Sequence, residues 1–170
     1  RQRCIRDIHN PANVLGIEVS REIFPQATQV AVVDTAFHHS IPRKAYLYAL
    51  PYEMYTDLKV RKYGFHGTSH HYVAQQAAKE LGKDLSSTNL ITMHLGNGGS
   101  ITAIKNGQSI DTSMGLTPLE GLIMGTRSGD IDTAIQYFLS QNTNLSVEEI
   151  NEILKKKSGL KGICGLNDMR

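Results

Sequence analysis

Two Asn-Gly steps, Asn97-Gly98 and Asn106-Gly107, stand in close succession in this 170-residue chain. Tight hairpin turns need positive φ at their central residues, and Asn followed by Gly meets that need at the lowest steric cost. The flanking segments carry strand-forming residues, so the pattern predicts strands over 90–95, 100–105 and 108–112. Joined by these turns they make a three-stranded antiparallel meander, and the rest of the chain must be arranged around it.

Helical signals lie on both sides of the meander. Asn10-Pro11 reads as a helix start, with Asn as cap and Pro at the first helical position. Val14, Leu15, Ile17 and Val19 follow at helical offsets, and Pro25 ends the pattern. Residues 29–37, QVAVVDTAF, are nearly continuous in apolar residues up to Asp34, which predicts a strand covered on both faces. Short helical turns are expected around the Tyr-rich YLYALPYEMY. Thr68 or Ser69 can cap a helix through Val73, Ala74, Ala77, Ala78 and Leu81, with Gly82 as its left-handed stop. Periodicity returns over 131–139, and Ser146 with Glu149 forms a capping box for a helix that runs to Lys157 and stops at Gly159.

Composition removes several function classes. Lys+Arg number 18 against Asp+Glu 16, a net charge of +2. A nucleic-acid binder concentrates basic residues on one face, whereas here the basic cluster, Lys155 to Lys157, sits at the end of a helical pattern. No apolar stretch approaches the roughly 20 residues that span a bilayer, so no membrane partner is expected. Cys4 and Cys164 lie near opposite ends without metal-binding spacing, which suits a reducing compartment such as the cytoplasm. The chain opens at Arg1-Gln2-Arg3 and closes at Asp168-Met169-Arg170, and is read as a piece of something longer.

Four places carry chemistry. The turn in His94-Leu95-Gly96-Asn97-Gly98-Gly99-Ser100 is either a plain hairpin tip or an anion cradle of backbone N–H groups. His66 stands between nearby glycines just before a helix start, a position for a loop hydrogen bond or for phosphate handling. His70 and His71 read as solvated helix residues rather than metal ligands, with no carboxylate or cysteine at ligand spacing. Arg127, inside the glycine-rich body SMGLTPLEGLIMGTRSGD, is either a surface partner of Asp130 or Asp132 or a bidentate oxyanion fork. Asp34 ends the apolar part of the 29–37 run, where a carboxylate is a turn former or, in α/β proteins, a ligand contact. Together they suit phosphoryl transfer, in which catalysis is positioning plus charge stabilisation. No GxSxG or other nucleophile–base pattern points to a hydrolase.

These same stretches resemble a known family. Asp34-Thr35-Ala36-Phe37-His38, RKYGFHGTSHHYV from Arg61, and HLGNGGSITAIKNGQSIDTSMGLTPLEGLIMGTRSGDID from His94 are similar to the acetate kinase (acetokinase) family of the acetate and sugar kinase, Hsp70 and actin superfamily. The similarity runs from His9-Asn10-Pro11 to Arg170. Val33 stands where that family usually has Phe, Thr133 replaces a common Pro, and GICGLNDMR is one residue shorter than usual.

The resemblance implies an α/β fold of ribonuclease-H-like (actin-like ATPase) domains. Residues 1–38 would be the C-terminal part of a first domain and 39–170 the N-terminal part of a second, nucleotide-binding domain, both incomplete. It implies reversible, direct in-line transfer of the ATP γ-phosphoryl group to acetate, giving acetyl phosphate and ADP, with Mg²⁺ or Mn²⁺. His66 and Arg127 match the residues that stabilise the transition state, and Asp34 matches the family's active-site aspartate. Acetate is already ionised near neutral pH, its pKa being about 4 to 5 by analogy with side-chain carboxyls, so Asp34 is read as organising the metal shell or neighbouring cations. His94, Leu95, Gly96, Asn97 and Gly98 match the ATP-phosphate segment, and Asp168, Met169 and Arg170 a later nucleotide contact. Ile8, Phe65 and Pro118 match the apolar acetate pocket. Metal ligands are expected outside this chain, and a homodimer is expected of the full-length protein. The alternatives are a propionate or butyrate kinase and, from another class, a non-catalytic actin-like nucleotide-binding module.

Overall fold

The structure, a computed structural model, describes residues 10–168. They fall into two units, one ending at Val32 and one beginning at Val33. In the first, helix α1 spans Asn10–Ile23, as the Asn-Pro start and the helical offsets predict. Phe24 N–H still donates to Ser20 O, and Pro25 then ends the pattern because its ring cannot continue a helical turn. The strand expected over 29–37 is not formed. Val30 and Val32 are 79% and 74% exposed, and the chain turns after Val33 into a 3₁₀ helix at Ala36–Ser40. A β-branched run becomes a strand only when a neighbouring backbone completes its ladder, and among the described residues none pairs with it.

The second unit is organised by the meander. Strands β1 (Leu90–Leu95), β2 (Gly99–Lys105) and β3 (Gln108–Thr112) pair antiparallel in the order β1-β2-β3. Asn106 and Gly107 have φ of 50° and 74°, the pair of left-handed residues that a type I′ turn requires. Register sets His94 opposite Ser100 and Thr92 opposite Thr102, and a bulge falls between Ala103 and Ile104.

Alternation along these strands divides the sheet by polarity. Its inner face carries Thr92, Ser100, Thr102, Ser109 and Thr112, all buried, while Ile91, Met93 and Leu95 are exposed on the other. Helix α4 (Gly67–Glu80) packs on β1 and on the 36–40 turn, contributing buried Ala74 and Ala78. Gly82, at φ +64°, ends it as expected. Its start differs from the expected Thr68 or Ser69 cap. His66 occupies the N-cap position, because Asp34, from a distant segment, accepts the first backbone donors.

His70 is the chief correction to the sequence reading: it is 1% exposed, not solvated. Its Nδ1 lies 2.8 Å from Thr92 Oγ1 and its Nε2 2.7 Å from Ser100 Oγ. His71 is half-buried and stacks on Phe37, with ring centroids 4.9 Å apart. His38 is wholly buried, its Nε2 donating to Phe65 O at 2.9 Å and its Nδ1 facing Ser109 Oγ at 2.9 Å. Among the described residues no buried side-chain nitrogen or oxygen lacks a partner, as a core this polar requires.

The Tyr-rich stretch gives α2 (Arg43–Tyr46) and α3 (Tyr52–Thr56). Helix α5 spans Ala134–Asn142. Helix α6 (Val147–Lys156) opens with the predicted capping box, Glu149 N–H donating to Ser146 Oγ and Ser146 N–H to Glu149 Oε2. Helix α7 (Gly159–Cys164) follows. This end pins the glycine-rich segment: Ser128 N–H donates to Leu154 O, Ser158 N–H to Thr126 O, Leu160 N–H to Met124 O and Lys161 N–H to Gly125 O. Gly159 sits at the centre of that contact, at φ +64°, where a Cβ would lie 2.1 Å from Met124 O and 2.6 Å from Arg127 O.

Two stability measurements follow from this packing. Burial, with His38, His66 and His94 adding to it, lowers His70 from 6.5 to about 4, and burial also lowers His38. Below pH 6.5 the unfolded chain binds protons at these rings that the folded chain refuses, so stability falls as pH drops from 6.5 towards 4. Denaturant midpoints should decline across that window and decline less in His70→Gln; equal slopes would mean the ring titrates alike folded and unfolded. Gly159→Ala should lower the unfolding free energy by about 1–3 kcal/mol, the scale of a residue forced into a disfavoured backbone region, and the midpoint with it. An unchanged midpoint would contradict the tight contact.

Candidate active site

The site begins with a helix start. Asp34 Oδ2 accepts the His66 N–H at 2.8 Å, and Asp34 O accepts the Gly67 N–H at 2.7 Å. A Cβ at Gly67 would stand 2.4 Å from that carbonyl oxygen, so this approach needs glycine. His66 is held at φ 58° and ψ 25°, a left-handed conformation uncommon for a residue with a side chain. The local strain turns its ring onto the mouth of the β1–β2 hairpin.

Three contacts fix that ring. It stacks on His94, with centroids 3.9 Å apart and planes 20° apart. His66 Nδ1 lies 2.8 Å from Ser100 Oγ. Its other edge faces Gly98, where a Cβ would lie 3.6 Å from His66 Nε2 and 3.1 Å from Arg127 Nη1. His94 is held in turn, its Nδ1 lying 2.9 Å from Ser69 Oγ. Burial lowers the pKa of His66, the charges of His94 and Arg127 add to this, and Asp34 opposes it.

Arg127 arrives on the glycine-rich segment. Its Nη1 donates to Pro118 O at 3.0 Å and approaches Met124 Sδ at 3.9 Å. Gly125 N–H donates to Asn97 O at 3.1 Å, and a Cβ at Gly125 would lie 2.4 Å from Asn97 Oδ1, so segment and hairpin loop meet backbone to backbone. The surface pairing open to Arg127 in the sequence is not made. Asp130 Oδ1 accepts from Gly121 N–H and Asp132 Oδ1 from Ala134 N–H.

Asp34, His66, His94, Asn97, Gly98, Pro118 and Arg127 are therefore gathered in one place. Gly96 adjoins them, its N–H donating to Gly98 O. Phe65 is half-buried beside His66, its carbonyl held by His38. Leu95 lies on the open face of the sheet and is exposed. Asp168 is exposed at a chain segment that returns to the loop, Asn167 O lying 3.2 Å from the Cβ position of Gly125. Ile8, Met169 and Arg170 lie outside the described residues. Sequence reasoning missed Ser100 and His70. Pairing His94 with Ser100 across the hairpin was the available signal for the first, whereas the second depends on the packing of α4. The site combines a guanidinium, an imidazole and a glycine loop about one small space. That set binds and polarises anionic oxygen, and the serine bonded to its imidazole, Ser100, is wholly buried.

Known proteins share this arrangement of chain. A curated acetate kinase from Syntrophobacter fumaroxidans is 62% identical over 163 residues, covering 96% of this chain and 40% of that protein. One from Nitratidesulfovibrio vulgaris is 60% identical, with the same coverage. This chain thus spans about 40% of the length of the curated relatives it matches. Among solved structures, a propionate kinase from Francisella tularensis subsp. tularensis superposes with TM-score 0.91 at 57% identity, covering 95% of this chain and 42% of that one. Porphyromonas gingivalis acetate kinase gives 0.90 at 50%, covering 94% and 40%. The mixed helix and sheet of this chain is the expected α/β, actin-like ATPase fold. Residues 4–170 match the model described as the Acetokinase family, and the chain belongs to that family.

Proposed function

We propose that this chain carries the phosphoryl-transfer residues of an ATP:acetate phosphotransferase that forms acetyl phosphate and ADP reversibly. The convergence of His66 and Arg127 on the side-chain-free Gly98 carries the reading. An acetate oxygen attacks the γ-phosphorus in line, a phosphorus–oxygen bond forms, and the bond to the ADP oxygen breaks. No proton needs to move, since the acetate is ionised beforehand, so Asp34 is not a base. It fixes the His66 and Gly67 backbone and thereby the imidazole. His66 Nε2–H and the Arg127 guanidinium donate to the equatorial oxygens, where negative charge concentrates as transfer proceeds. His94 through Gly98 line the nucleotide phosphates, Asp168 to Arg170 make a later nucleotide contact, and Ile8, Phe65 and Pro118 border the methyl pocket.

A divalent ion, Mg²⁺ or Mn²⁺, accompanies ATP in this proposal. Its protein ligands are assigned, on the family resemblance, to segments outside this chain. The division at residues 1–38 and 39–170 into two incomplete domains, a cytoplasmic setting and a homodimer belong to the same proposal. The first draws on the family's two-domain architecture. The cytoplasmic setting draws on Cys164, an exposed free thiol, and on the lack, among the described residues, of any helix long and apolar enough to cross a membrane. A second reading, propionate as acceptor, is prompted by the Francisella propionate kinase and is less favoured than acetate, the acceptor named by the curated relatives. One methylene in an apolar pocket is worth only about 1–3 kcal/mol, so the two acceptors compete at one site.

Acyl-hydroxamate formation with MgATP and acetate, propionate or butyrate, on protein of recorded intact mass, tests the assignment. Activity peaking with acetate supports it, and a propionate peak moves it to the second reading. No product from the intact protein would favour the non-catalytic actin-like module. The 170-residue chain alone is expected to give no product, and robust turnover at 18.8 kDa would overturn that expectation. In the intact enzyme His66→Ala and Arg127→Ala should each lower kcat by about 10²–10³, the scale of a lost oxyanion donor, with little change in KM for ATP. A change in KM alone would reduce both to ground-state binders.

A further inference from the structure

Behind His66 runs a line of polar side chains that the transfer step itself does not touch. His66 Nδ1 lies 2.8 Å from Ser100 Oγ, Ser100 Oγ 2.7 Å from His70 Nε2, and His70 Nδ1 2.8 Å from Thr92 Oγ1. Ser100, His70 and Thr92 are all buried, which leaves bulk water no part in these bonds. Each hydroxyl carries one hydrogen and each neutral imidazole one N–H. His70 is neutral at neutral pH, its pKa held at about 4 chiefly by burial. The three bonds can then be filled with every donor pointing towards His66, with every donor pointing away, or with both imidazoles donating to Ser100 Oγ. The last leaves the buried Ser100 hydrogen without an acceptor among the described residues and is set aside on that ground.

Thr92 decides the direction. His70 Nδ1 is the partner of its hydroxyl, which makes no other hydrogen bond among the described residues. If His70 donated to Thr92, the threonine hydrogen would be buried without an acceptor, a state that native interiors avoid. In the opposite direction every hydrogen is used. Thr92 O–H donates to His70 Nδ1, His70 Nε2–H donates to Ser100 Oγ, and Ser100 O–H donates to His66 Nδ1. His66, kept neutral by its surroundings, then carries its single proton on Nε2, the nitrogen that faces Gly98 and Arg127.

We infer that Thr92, His70 and Ser100 are positioning residues that lock His66 as its neutral Nε2–H tautomer, with the hydrogen already aimed at the anion site. The use of that hydrogen rests on the phosphoryl-transfer reading; the tautomer does not. The other tautomer would turn a lone pair towards the phosphoryl oxygens, and in a serine protease the wrong imidazole tautomer costs about 10⁴ in kcat.

Nitrogen-edited NMR of the imidazole rings in the intact protein reads which nitrogen carries each proton, with signals assigned through His66→Gln and His70→Gln. Both rings should be protonated on Nε2 at neutral pH, and a His66 proton on Nδ1 overturns the inference. Thr92→Val removes the hydroxyl at nearly constant volume, and Thr92→Ser retains it. The valine variant should show mixed His66 tautomers and about a tenfold lower kcat, the scale on which outer partners of a functional histidine act, at unchanged KM for ATP. The serine variant should restore both. Wild-type ring signals in Thr92→Val overturn the relay. Full activity in His66→Ala would instead overturn the phosphoryl-transfer role and leave the tautomer to be judged by the ring signals alone.

Discussion

A single aspartate holds the rest of this site in position. Asp34 uses its side-chain oxygen on the His66 N–H and its main-chain oxygen on the Gly67 N–H, across 32 residues of sequence. The N-terminus of a helix leaves unsatisfied donors and carries partial positive charge, and a local Ser or Thr commonly satisfies them. Here a distant carboxylate does so, which fastens α4 to the segment that precedes it. The consequence falls on His66. Pinned at its N–H and bent into the left-handed region, it has one direction left for its ring, between His94 and Ser100.

The sheet beneath sorts its side chains by polarity. Hydroxyls and imidazoles share the buried side with Ile104, and Ile91, Met93 and Leu95 lie on the other. Hydroxyls contribute less transfer free energy than methyls of like size, and a buried polar set is tolerated only when every member is bonded. That condition is met among the described residues. What such a core gains over an apolar one is direction, because each hydrogen bond restricts an angle as well as a distance. His38 illustrates this: Phe65 O can only accept, so the ring must carry its proton on Nε2 and present Nδ1 to the Ser109 hydroxyl.

How much of this was legible in the chain depends on the range of the interaction responsible. Asn106-Gly107, the Ser146–Glu149 box and the Gly82 stop are written in neighbouring residues, and each forms where it was expected. The 29–37 strand was not legible, because its apolar run specifies a preference for pairing without supplying a partner. The interior place of His70 was hidden for a related reason. α4 buries Ala74 and Ala78, which puts His70 on the same stripe one turn earlier, but polarity argued for solvent until Thr92 and Ser100 appeared opposite it. Asp34, His66 and Arg127 were legible as separate candidates. Their gathering was not, since it requires a left-handed histidine and two backbone contacts made at glycine.

The electrostatic state of Arg127 follows from the same close contacts. A guanidinium beside Asp130 and Asp132 in sequence would ordinarily be neutralised by one of them. Both carboxylates are instead turned onto backbone donors, Gly121 N–H and Ala134 N–H. Among the described residues the groups that Arg127 meets are neutral, Pro118 O and Met124 Sδ. A half-buried cation bonded to neutral acceptors keeps its charge for an incoming anion, whereas an ion-paired one would first have to break its pair. The turn-forming use of two acidic residues and the binding capacity of one arginine are thus parts of one arrangement, set by the glycines that let the loop close around Asn97.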